Sequence, residues 1–255
     1  MNLVFWSTYI LLSLFIGSFL NVVAIRIPKK ESIVFPPSHC PTCNHKLSAL
    51  DLFPIFSYLG LRGKCRYCGA KISPIYPFGE FLTLIIFLLI PYFFGFSKEL
   101  YIAFPFAMVM IAVTLSDIRY HIIPDKITYP AILLFILLRL WIHPLPIWNY
   151  FFAAFLIFAI LILLNVISEK VFQKVGMGGG DLKLFFLIGL VLGWQNTLLA
   201  LFLSSAVGSI IGILLIAFRV IQRRQMIPYG PFIFVGTMLA YFLGNQIWGW
   251  YLGLY

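Results

Sequence analysis

Charged side chains are scarce in this sequence, and acidic side chains are the scarcest. Only 10% of the 255 residues are charged and only 8 are Asp or Glu, whereas 62% are hydrophobic. The mean hydropathy is +1.01. Since a soluble globular protein carries about 25% charged residues, this composition excludes a soluble globular chain. It predicts an integral membrane protein in which every acid beside an apolar run requires an explanation.

Long apolar runs recur along the chain and predict an all-α polytopic membrane protein. A helix needs about 20 residues to cross a bilayer, and eight runs approach that length: 3–25, 78–96, 100–116, 127–142, 150–168, 182–194, 197–218 and 231–251. The run at 182–194 is short, so it is either a tilted half-helix or a re-entrant segment, and seven spans is the next possibility. We expect about eight transmembrane helices.

The distribution of basic residues favours eight spans with the N-terminus outside. In that arrangement one side of the membrane receives all of the 18 Lys and Arg residues except Lys98 and Arg139. Short cytosolic loops collect Lys and Arg, so the basic side is expected to be cytosolic. The net charge of +10 then reflects topology and contact with anionic lipid head groups. It does not indicate nucleic-acid binding.

Three parts are expected along the chain. Residues 1–25 form the first transmembrane helix, which has no basic residue before it and no small-residue cleavage pattern after it, so it is a permanent anchor. Residues 26–76 form a cytosolic loop, the one stretch polar enough to be a separate extramembrane unit. Residues 77–255 form a membrane core of about seven helices.

Cysteine occurs nowhere outside that loop. The loop reads CPTC (Cys40, Cys43) and, after 21 further residues, CRYC (Cys65, Cys68). Two C-x-x-C hooks at this spacing are typical of a structural zinc site with four thiolate ligands. Disulfides or redox-active thiols are the alternative, which a reducing cytosol disfavours. His39 and His45 beside the first hook are interpreted as solvated residues.

Three aspartates are expected at the cytosolic border of the membrane: Asp117 ends the third span, Asp125 opens the fourth and Asp181 opens the sixth. Such acids are functional hypotheses by default. Each also has a structural explanation, because Asp117 can pair with Arg119, and Asp125 and Asp181 can cap helix N-termini. Capping is favoured for Asp125. Glu31, Asp51, Glu99 and Glu169 are interpreted as interfacial or solvated groups. Glu80 opens the second span on the cytosolic side, where an acid suits a helix N-terminus, and this explanation is at least as good as a functional one.

Three consecutive glycines favour a functional role over helix capping for Asp181. Gly178, Gly179 and Gly180 remove side-chain bulk and allow the backbone to pass close to another helix or to a bound peptide, which a capping aspartate alone does not require. Two aspartates at one depth suggest the pair used by aspartic proteases, in which one carboxyl stays protonated while the other acts as a base. An ion-coupled transporter, which also places acids in its spans, is the alternative from a different class.

Five segments together resemble the type IV prepilin peptidases over nearly the whole chain. They are GSFLNVVAIRIP (17–28), the cysteine loop with its continuation to FGEFLT (40–83), SDIRYHIIPDKIT (116–128), GMGGGDLKL (176–184) and IPYGPF (227–232). The resemblance implies an aspartic-type leader peptidase of the bacterial inner membrane that acts at the cytosolic face. Its substrates are prepilins or pseudopilins that carry a short basic leader before a hydrophobic helix.

The resemblance also implies roles for individual residues. The catalytic aspartates of the family fall on Asp117 and Asp181, whereas Asp125 matches an acid that the family does not use in catalysis. Members with both cysteine hooks commonly methylate the new N-terminus with S-adenosylmethionine, so a bifunctional enzyme is implied, and a peptidase without methyltransferase activity is the alternative. Glu80 is the candidate residue for the methyl-donor site. Lys183 is expected to anchor its span at the interface or to hold Asp181 ionised.

Overall fold

A computed structural model describes residues 3–173, 176–220 and 227–253. Within these ranges the chain forms helices and no β-strand. The helices are α1 (Leu3–Arg26), α2 (Phe56–Gly60), α3 (Ile75–Phe94), α4 (Leu100–Tyr120), α5 (Asp125–Trp141), α6 (Ile147–Phe172), α7 (Gly179–Leu192), α8 (Trp194–Ala217) and α9 (Gly230–Tyr251). The all-helical prediction is confirmed for the part of the chain described.

Each of the eight predicted apolar runs corresponds to a helix, but the helices differ in length. Six of those in the described residues are long and apolar enough to cross a membrane: α1, α3, α4, α6, α8 and α9. Helix α5 has 17 residues and α7 has only 14. The count of eight spans therefore stays a prediction. Of the basic residues used to orient the chain, Lys174, Arg223 and Arg224 lie outside the described ranges.

The chain divides into two compact units, Met1–Arg119 and Tyr120–Tyr255. In the first unit α1 packs closely against α3, because Gly17 leaves room for the α3 backbone: a Cβ at Gly17 would lie 2.7 Å from the Cα of Glu80. The Asn21 side chain of α1 donates a hydrogen bond to the backbone carbonyl of Tyr76, 2.9 Å away. Phe104 of α4 packs edge to face against Phe87 of α3.

In the second unit α5 and α7 run parallel, because the two ends of α7 both contact the matching ends of α5. At the N-terminal ends, Lys183 Nζ lies 2.7 Å from Asp125 Oδ1. At the C-terminal ends, the Arg139 guanidinium donates a hydrogen bond to the Val191 carbonyl. The parallel direction agrees with an arrangement in which the fourth and sixth spans cross the membrane in the same sense.

The C-terminal end of α7 is a helix break. Gly193 has a φ of +76°, a conformation that glycine adopts without steric cost, and α8 begins at the next residue. The Trp194 N–H donates to the Asn149 side-chain oxygen at 3.1 Å. Arg139 is only 1% exposed and supplies a donor to Val191 at this break. The eight-span arrangement assigns Arg139 to the outer side of the membrane, which stays a prediction, and the structure shows that its side chain is buried inside the second unit.

Candidate active site and metal centre

Asp117 lies in the last turn of α4, in the first unit, and is buried. The C-terminal end of a helix carries partial negative charge, so an acid in the last turn does not stabilise the helix. Twelve residues of α4, from Ile102 to Asp117, are buried, and most of them are apolar. A buried carboxyl at this position costs stability, and the helix itself does not explain it.

Asp181 lies in the second unit as the third residue of α7. Its carboxylate oxygen Oδ2 accepts a hydrogen bond from the Gly178 N–H at 3.2 Å, and its own N–H donates to the Gly178 carbonyl at 3.1 Å. The first bond is the half of a capping box in which the side chain of the third helical residue accepts from the N-cap N–H. Gly178, the N-cap residue, has no side chain to supply the other half, and its carbonyl accepts from the Asp181 N–H instead. These two bonds orient the carboxylate at the first turn of the helix, and Asp181 stays partly exposed.

The three glycines before Asp181 have different surroundings. A Cβ at Gly180 would lie 2.8 Å from the Cβ of Ile123, so only glycine allows α7 to begin this close to the segment before α5. A Cβ at Gly179 would meet no atom within 4 Å. Gly180 is therefore required for internal packing. Gly179 presents open backbone next to the carboxylate.

Asn165 of α6 holds the start of this glycine turn. Its side-chain oxygen accepts a hydrogen bond from the Met177 N–H at 2.8 Å, and its side-chain nitrogen donates to the Met177 carbonyl at 3.1 Å. Both polar groups of one peptide residue are thereby satisfied by one amide side chain. Sequence analysis did not identify Asn165. A single amide within the run ILILLNVIS was the available signal.

Asp125 and Lys183 form an ion pair beside this turn. The Lys183 ammonium also lies over the Tyr129 ring, 4.9 Å from its centroid, and sequence analysis did not identify Tyr129. Asp125 is the first residue of α5, and the N-cap residue is Pro124 with no side-chain capping bond. The capping interpretation of Asp125 is therefore wrong, because its carboxylate binds Lys183. The pair joins the first turns of α5 and α7, which fixes how α7 presents Asp181.

The four cysteines form one cluster in the loop of the first unit. The sulfur atoms of Cys40, Cys43, Cys65 and Cys68 all lie within 4.8 Å of one another, and none of these cysteines is in a disulfide. The Sγ atoms of Cys40 and Cys68 are 3.8 Å apart. Four thiolates around one tetrahedral ion at about 2.3 Å lie about 3.8 Å from each other. The cluster is close enough to bind a metal ion.

The two hooks have the same backbone structure. In the first, Cys40 donates its N–H to the His45 carbonyl and accepts from Asn44. In the second, Cys65 donates to the Ala70 carbonyl and accepts from Gly69. Asn44 and Gly69, the residues after each second cysteine, both have a positive φ. Two equivalent turns that direct four sulfurs to one point fit a metal ion better than two disulfides.

The cysteine thiols differ in acidity. The backbone N–H groups of Cys43 and Thr42 lower the pKa of Cys40 to about 6. The backbone N–H of Ala70 lowers the pKa of the Cys68 thiol, but burial and the neighbouring cysteine thiols outweigh it and raise that pKa to about 12. Metal ligands must be thiolates, and the lowered pKa of Cys40 favours that form.

Asp51 binds the second hook, although it was predicted to be an interfacial or solvated group. Its side chain is only 3% exposed, and Arg66 Nε donates to Oδ1 at 2.7 Å. Oδ2 accepts from the Tyr67 hydroxyl at 3.0 Å and from the Ser48 hydroxyl at 2.7 Å. Burial alone would raise the pKa of Asp51, but these hydrogen bonds outweigh it and hold the pKa well below its ordinary value. The S-x-x-D spacing of Ser48 and Asp51 was the overlooked signal.

The histidines beside the first hook are not in the metal cluster. His39 Nδ1 lies 3.0 Å from the Pro37 carbonyl, and the exposed His45 ring lies 3.6 Å from the Tyr67 ring. Glu80 is buried in α3 and accepts the backbone N–H of Ile55 at 2.7 Å. The loop therefore donates a hydrogen bond to Glu80, the candidate residue for the methyl-donor site. That role of Glu80 stays a prediction.

Comparisons with known proteins match the chain to two family models. The family model for the Bacterial Peptidase A24 N-terminal domain matches residues 11–94, and that for the Type IV leader peptidase family matches residues 104–213. The first match covers the cysteine loop, and the second covers Asp117, Asp125 and Asp181. No solved structure matches the chain.

Several curated relatives match almost the entire chain, and each is named prepilin leader peptidase/N-methyltransferase. The protein from Bacillus subtilis is 35% identical over 96% of this chain and 97% of its own length. Those from Aeromonas salmonicida and Pseudomonas aeruginosa are 33% and 31% identical, over 97% and 95% of this chain and 94% and 92% of their own lengths. On these matches, and on the aspartates and cysteines that they cover, the chain belongs to the type IV leader peptidase family.

Proposed function

We propose that this protein is a membrane-embedded aspartic endopeptidase that removes the short basic leader from type IV prepilins or pseudopilins. The observation that carries the proposal is the N-terminal turn of α7, where Asp181 is oriented by Gly178 beside the open backbone of Gly179. An extended peptide needs such a surface, because its own N–H and C=O groups must approach the catalytic carboxylate. Membership of the leader peptidase family supports the same assignment.

In the proposed reaction Asp117 and Asp181 share one proton. The ionised carboxyl removes a proton from the water molecule that attacks the scissile carbonyl carbon, and the protonated carboxyl donates a hydrogen bond to the developing oxyanion. A proton then passes to the leaving amine as the peptide bond breaks. The ion pair of Lys183 with Asp125, and the two bonds of Asn165 to Met177, hold the turn that carries Asp181.

The proposed location of the reaction is the cytosolic face of the bacterial inner membrane, with the N-terminus outside. The basic residues of the loop support this side, because short cytosolic segments collect Lys and Arg. The leader of a prepilin is itself basic and precedes a hydrophobic helix, so the cut would fall at the edge of the membrane. The partners are then prepilin or pseudopilin substrates and membrane lipid, and nucleic acid is not among them.

We propose further that the enzyme methylates the new N-terminal amine, as the names of its relatives indicate for those proteins. S-adenosylmethionine would supply the methyl group. The cysteine cluster would hold a structural zinc ion, because four thiolates leave no open position for a substrate. Zinc would then stabilise a loop that has little apolar core of its own.

The experiment that tests the peptidase uses the purified protein in lipid with a prepilin and S-adenosylmethionine, and mass spectrometry of the product. We expect Asp117→Asn and Asp181→Asn each to slow leader removal about 100-fold or more, the usual contribution of a proton-transfer group. Glu31→Gln is the matched control, because Glu31 is an exposed acid of the loop, and it should cleave at the wild-type rate.

The same experiment separates the alternatives. A product that carries the mass of one added methyl group supports the bifunctional enzyme, and a cleaved but unmethylated product supports a peptidase alone. Cleavage that survives both aspartate substitutions would contradict the proposed dyad. A folded wild-type protein that cuts none of a panel of prepilins would return attention to an ion-coupled transporter, which family membership does not favour.

A further inference from the structure

Residues 50–61 of the cysteine loop, LDLFPIFSYLGL, form a segment that we call the apolar segment. Its one charged residue, Asp51, has a buried side chain that binds Arg66. Three large side chains of the segment are instead uncovered, since Leu50 is 72%, Phe56 59% and Leu59 65% exposed. A group of exposed large apolar side chains marks an interaction surface. The segment therefore exposes large apolar side chains and buries its one charged side chain.

Contacts with α1 show where this surface lies. The ring of Phe53 meets the ring of Phe15 edge to face, with centroids 5.8 Å apart. Phe15 precedes Arg26, the last residue of α1, by eleven positions, which corresponds to about 16 Å along the helix axis. The apolar segment therefore runs back alongside the membrane helix rather than away from its end.

A contact with α3 independently places the segment alongside a second membrane helix. The N–H of Ile55 donates to Oε2 of Glu80, which lies five residues into α3, or about 8 Å from its start. Ile55 has a φ of +61°, a conformation that β-branched residues rarely adopt. The carboxylate of Glu80 satisfies the amide at this unusual bend, where the chain turns back towards the loop.

The neighbouring surface of α1 indicates which partner covers the segment. Phe15 belongs to a set of exposed apolar side chains on a candidate membrane span: Leu11, Leu12, Phe15 and Phe19. On a spanning helix such side chains contact lipid acyl chains. Phe53 continues this surface directly. Lys46, Arg62 and Lys64, which flank the apolar segment, are suited to the anionic head groups at the edge of the same layer.

We propose that the apolar segment is inserted into the bilayer, with Leu50, Phe56 and Leu59 among phospholipid acyl chains. The partner is the lipid itself, and the loop that carries the metal cluster is thereby attached to the membrane at a second place besides the ends of α1 and α3. The segment has the composition of an interfacial anchor, which is apolar on one side and bordered by basic residues. The loop is then only partly extramembrane.

The test places a fluorescent tryptophan in the segment of the full chain, in vesicles of phosphatidylethanolamine and phosphatidylglycerol. The variants are Phe56→Trp and Leu59→Trp, with Lys71→Trp as the control at an exposed position of the same loop. The protein has 6 native tryptophans, so the emission of wild type is subtracted. Vesicles made with brominated acyl chains quench tryptophans that touch the chains, and acrylamide quenches those in water.

We expect both segment variants to lose most of their added emission to brominated lipid and little to acrylamide, and the control to show the reverse. Bound metal, measured for each variant, verifies that the loop is folded. Quenching of the segment variants by acrylamide alone would overturn the proposal. So would loss of the brominated-lipid quenching when a prepilin is added, because the surface would then be a site for the substrate's hydrophobic helix.

Discussion

Asn165 is an amide side chain within an apolar stretch of α6, and it acts on the candidate site through another residue. Both hydrogen bonds of its amide go to Met177, four residues before Asp181. Without them, the peptide groups of Met177 would lose their protein partners and the glycine turn would lose its attachment to α6. A small displacement of a catalytic group lowers the reaction rate, because proton transfer depends on the position of that group.

We predict that Asn165→Leu, which keeps the branched shape of the side chain but removes both hydrogen bonds, lowers kcat for leader removal about 100-fold, the cost typical of a displacement of 1 Å. KM should change little, since Asn165 is not proposed to touch the substrate. Steady-state cleavage of a prepilin in lipid vesicles measures both constants. Leu164→Ala, an exposed neighbour on the same turn, is the control, and equal kcat values for the two variants would contradict the positioning role.

Asp51, like Asn165, acts through other residues, in this case on the cysteine cluster of the loop. Its folded-state pKa is depressed, so the stabilisation it contributes is fully present above its unfolded-state pKa of about 4. That stabilisation is lost only as the pH falls through the lower folded-state value. At neutral pH, therefore, Asp51 is ionised and holds Arg66 and Tyr67, the two residues between Cys65 and Cys68.

We predict that Asp51→Asn weakens zinc binding about 10-fold or more at pH 7, as loss of an outer-shell partner does in other metal sites. The ratio between wild type and variant should stay constant from pH 8 to pH 6, because a group with a depressed pKa does not titrate there. Competition with a chromogenic zinc chelator measures the affinity. His39→Ser, which changes a residue outside the cluster, should bind zinc as wild type does.

At the level of the secondary-structure element, α7 is too short to cross the membrane by itself. Its 14 residues extend about 21 Å, whereas the hydrocarbon layer is about 30 Å thick. Its last carbonyl groups have no partners within the helix, and none are available from lipid. Arg139 provides a donor to Val191 there, and its guanidinium also lies over the Tyr150 ring, 4.4 Å from the centroid.

We predict that Arg139→Met lowers the apparent Tm by about 5–10 °C, because hydrogen bonds to a charged group contribute about 1.5–3 kcal/mol each. Arg139→Lys should recover only part of the loss, since an ammonium lacks the planar fork of donors. Thermal unfolding in detergent, followed by intrinsic fluorescence, measures the shift. Arg62→Met, at an exposed arginine of the loop, should leave Tm within about 1 °C, and an equal loss at both sites would refute the role of Arg139.

These elements also show what could be predicted from the sequence. The apolar runs predicted the helices because a membrane span is a local property of composition. The C-x-x-C hooks predicted the cluster because each hook places two ligands within a few residues. The roles of Asn165 and Arg139 were missed, and Asp51 was misinterpreted, because these roles depend on partners elsewhere along the chain. Asp125 was misinterpreted for the same reason, since its partner is Lys183.

At the level of the whole molecule, reporter proteins fused to the loops measure how many times the chain crosses the membrane. We predict that alkaline phosphatase fused after residue 145 or 253 is active, and that green fluorescent protein fused after residue 60 or 219 is fluorescent. This pattern follows from eight spans with the N-terminus outside. Inactive phosphatase at residue 253 together with active phosphatase at residue 145 would mean that α7 does not cross, and inactive phosphatase at residue 145 would mean that α5 does not.

The close packing of α1 against α3 has a consequence for biogenesis. The two helices are separated in sequence by the whole loop, residues 27–74, so α1 leaves the ribosome well before its partner exists. Joining the ends of a long flexible loop costs entropy. On the proposal that the cysteine cluster holds zinc, its capture by the nascent loop would shorten the free chain between the two helices. We therefore expect zinc-starved cells to accumulate molecules in which α1 is inserted but not yet paired, and which quality-control proteases remove.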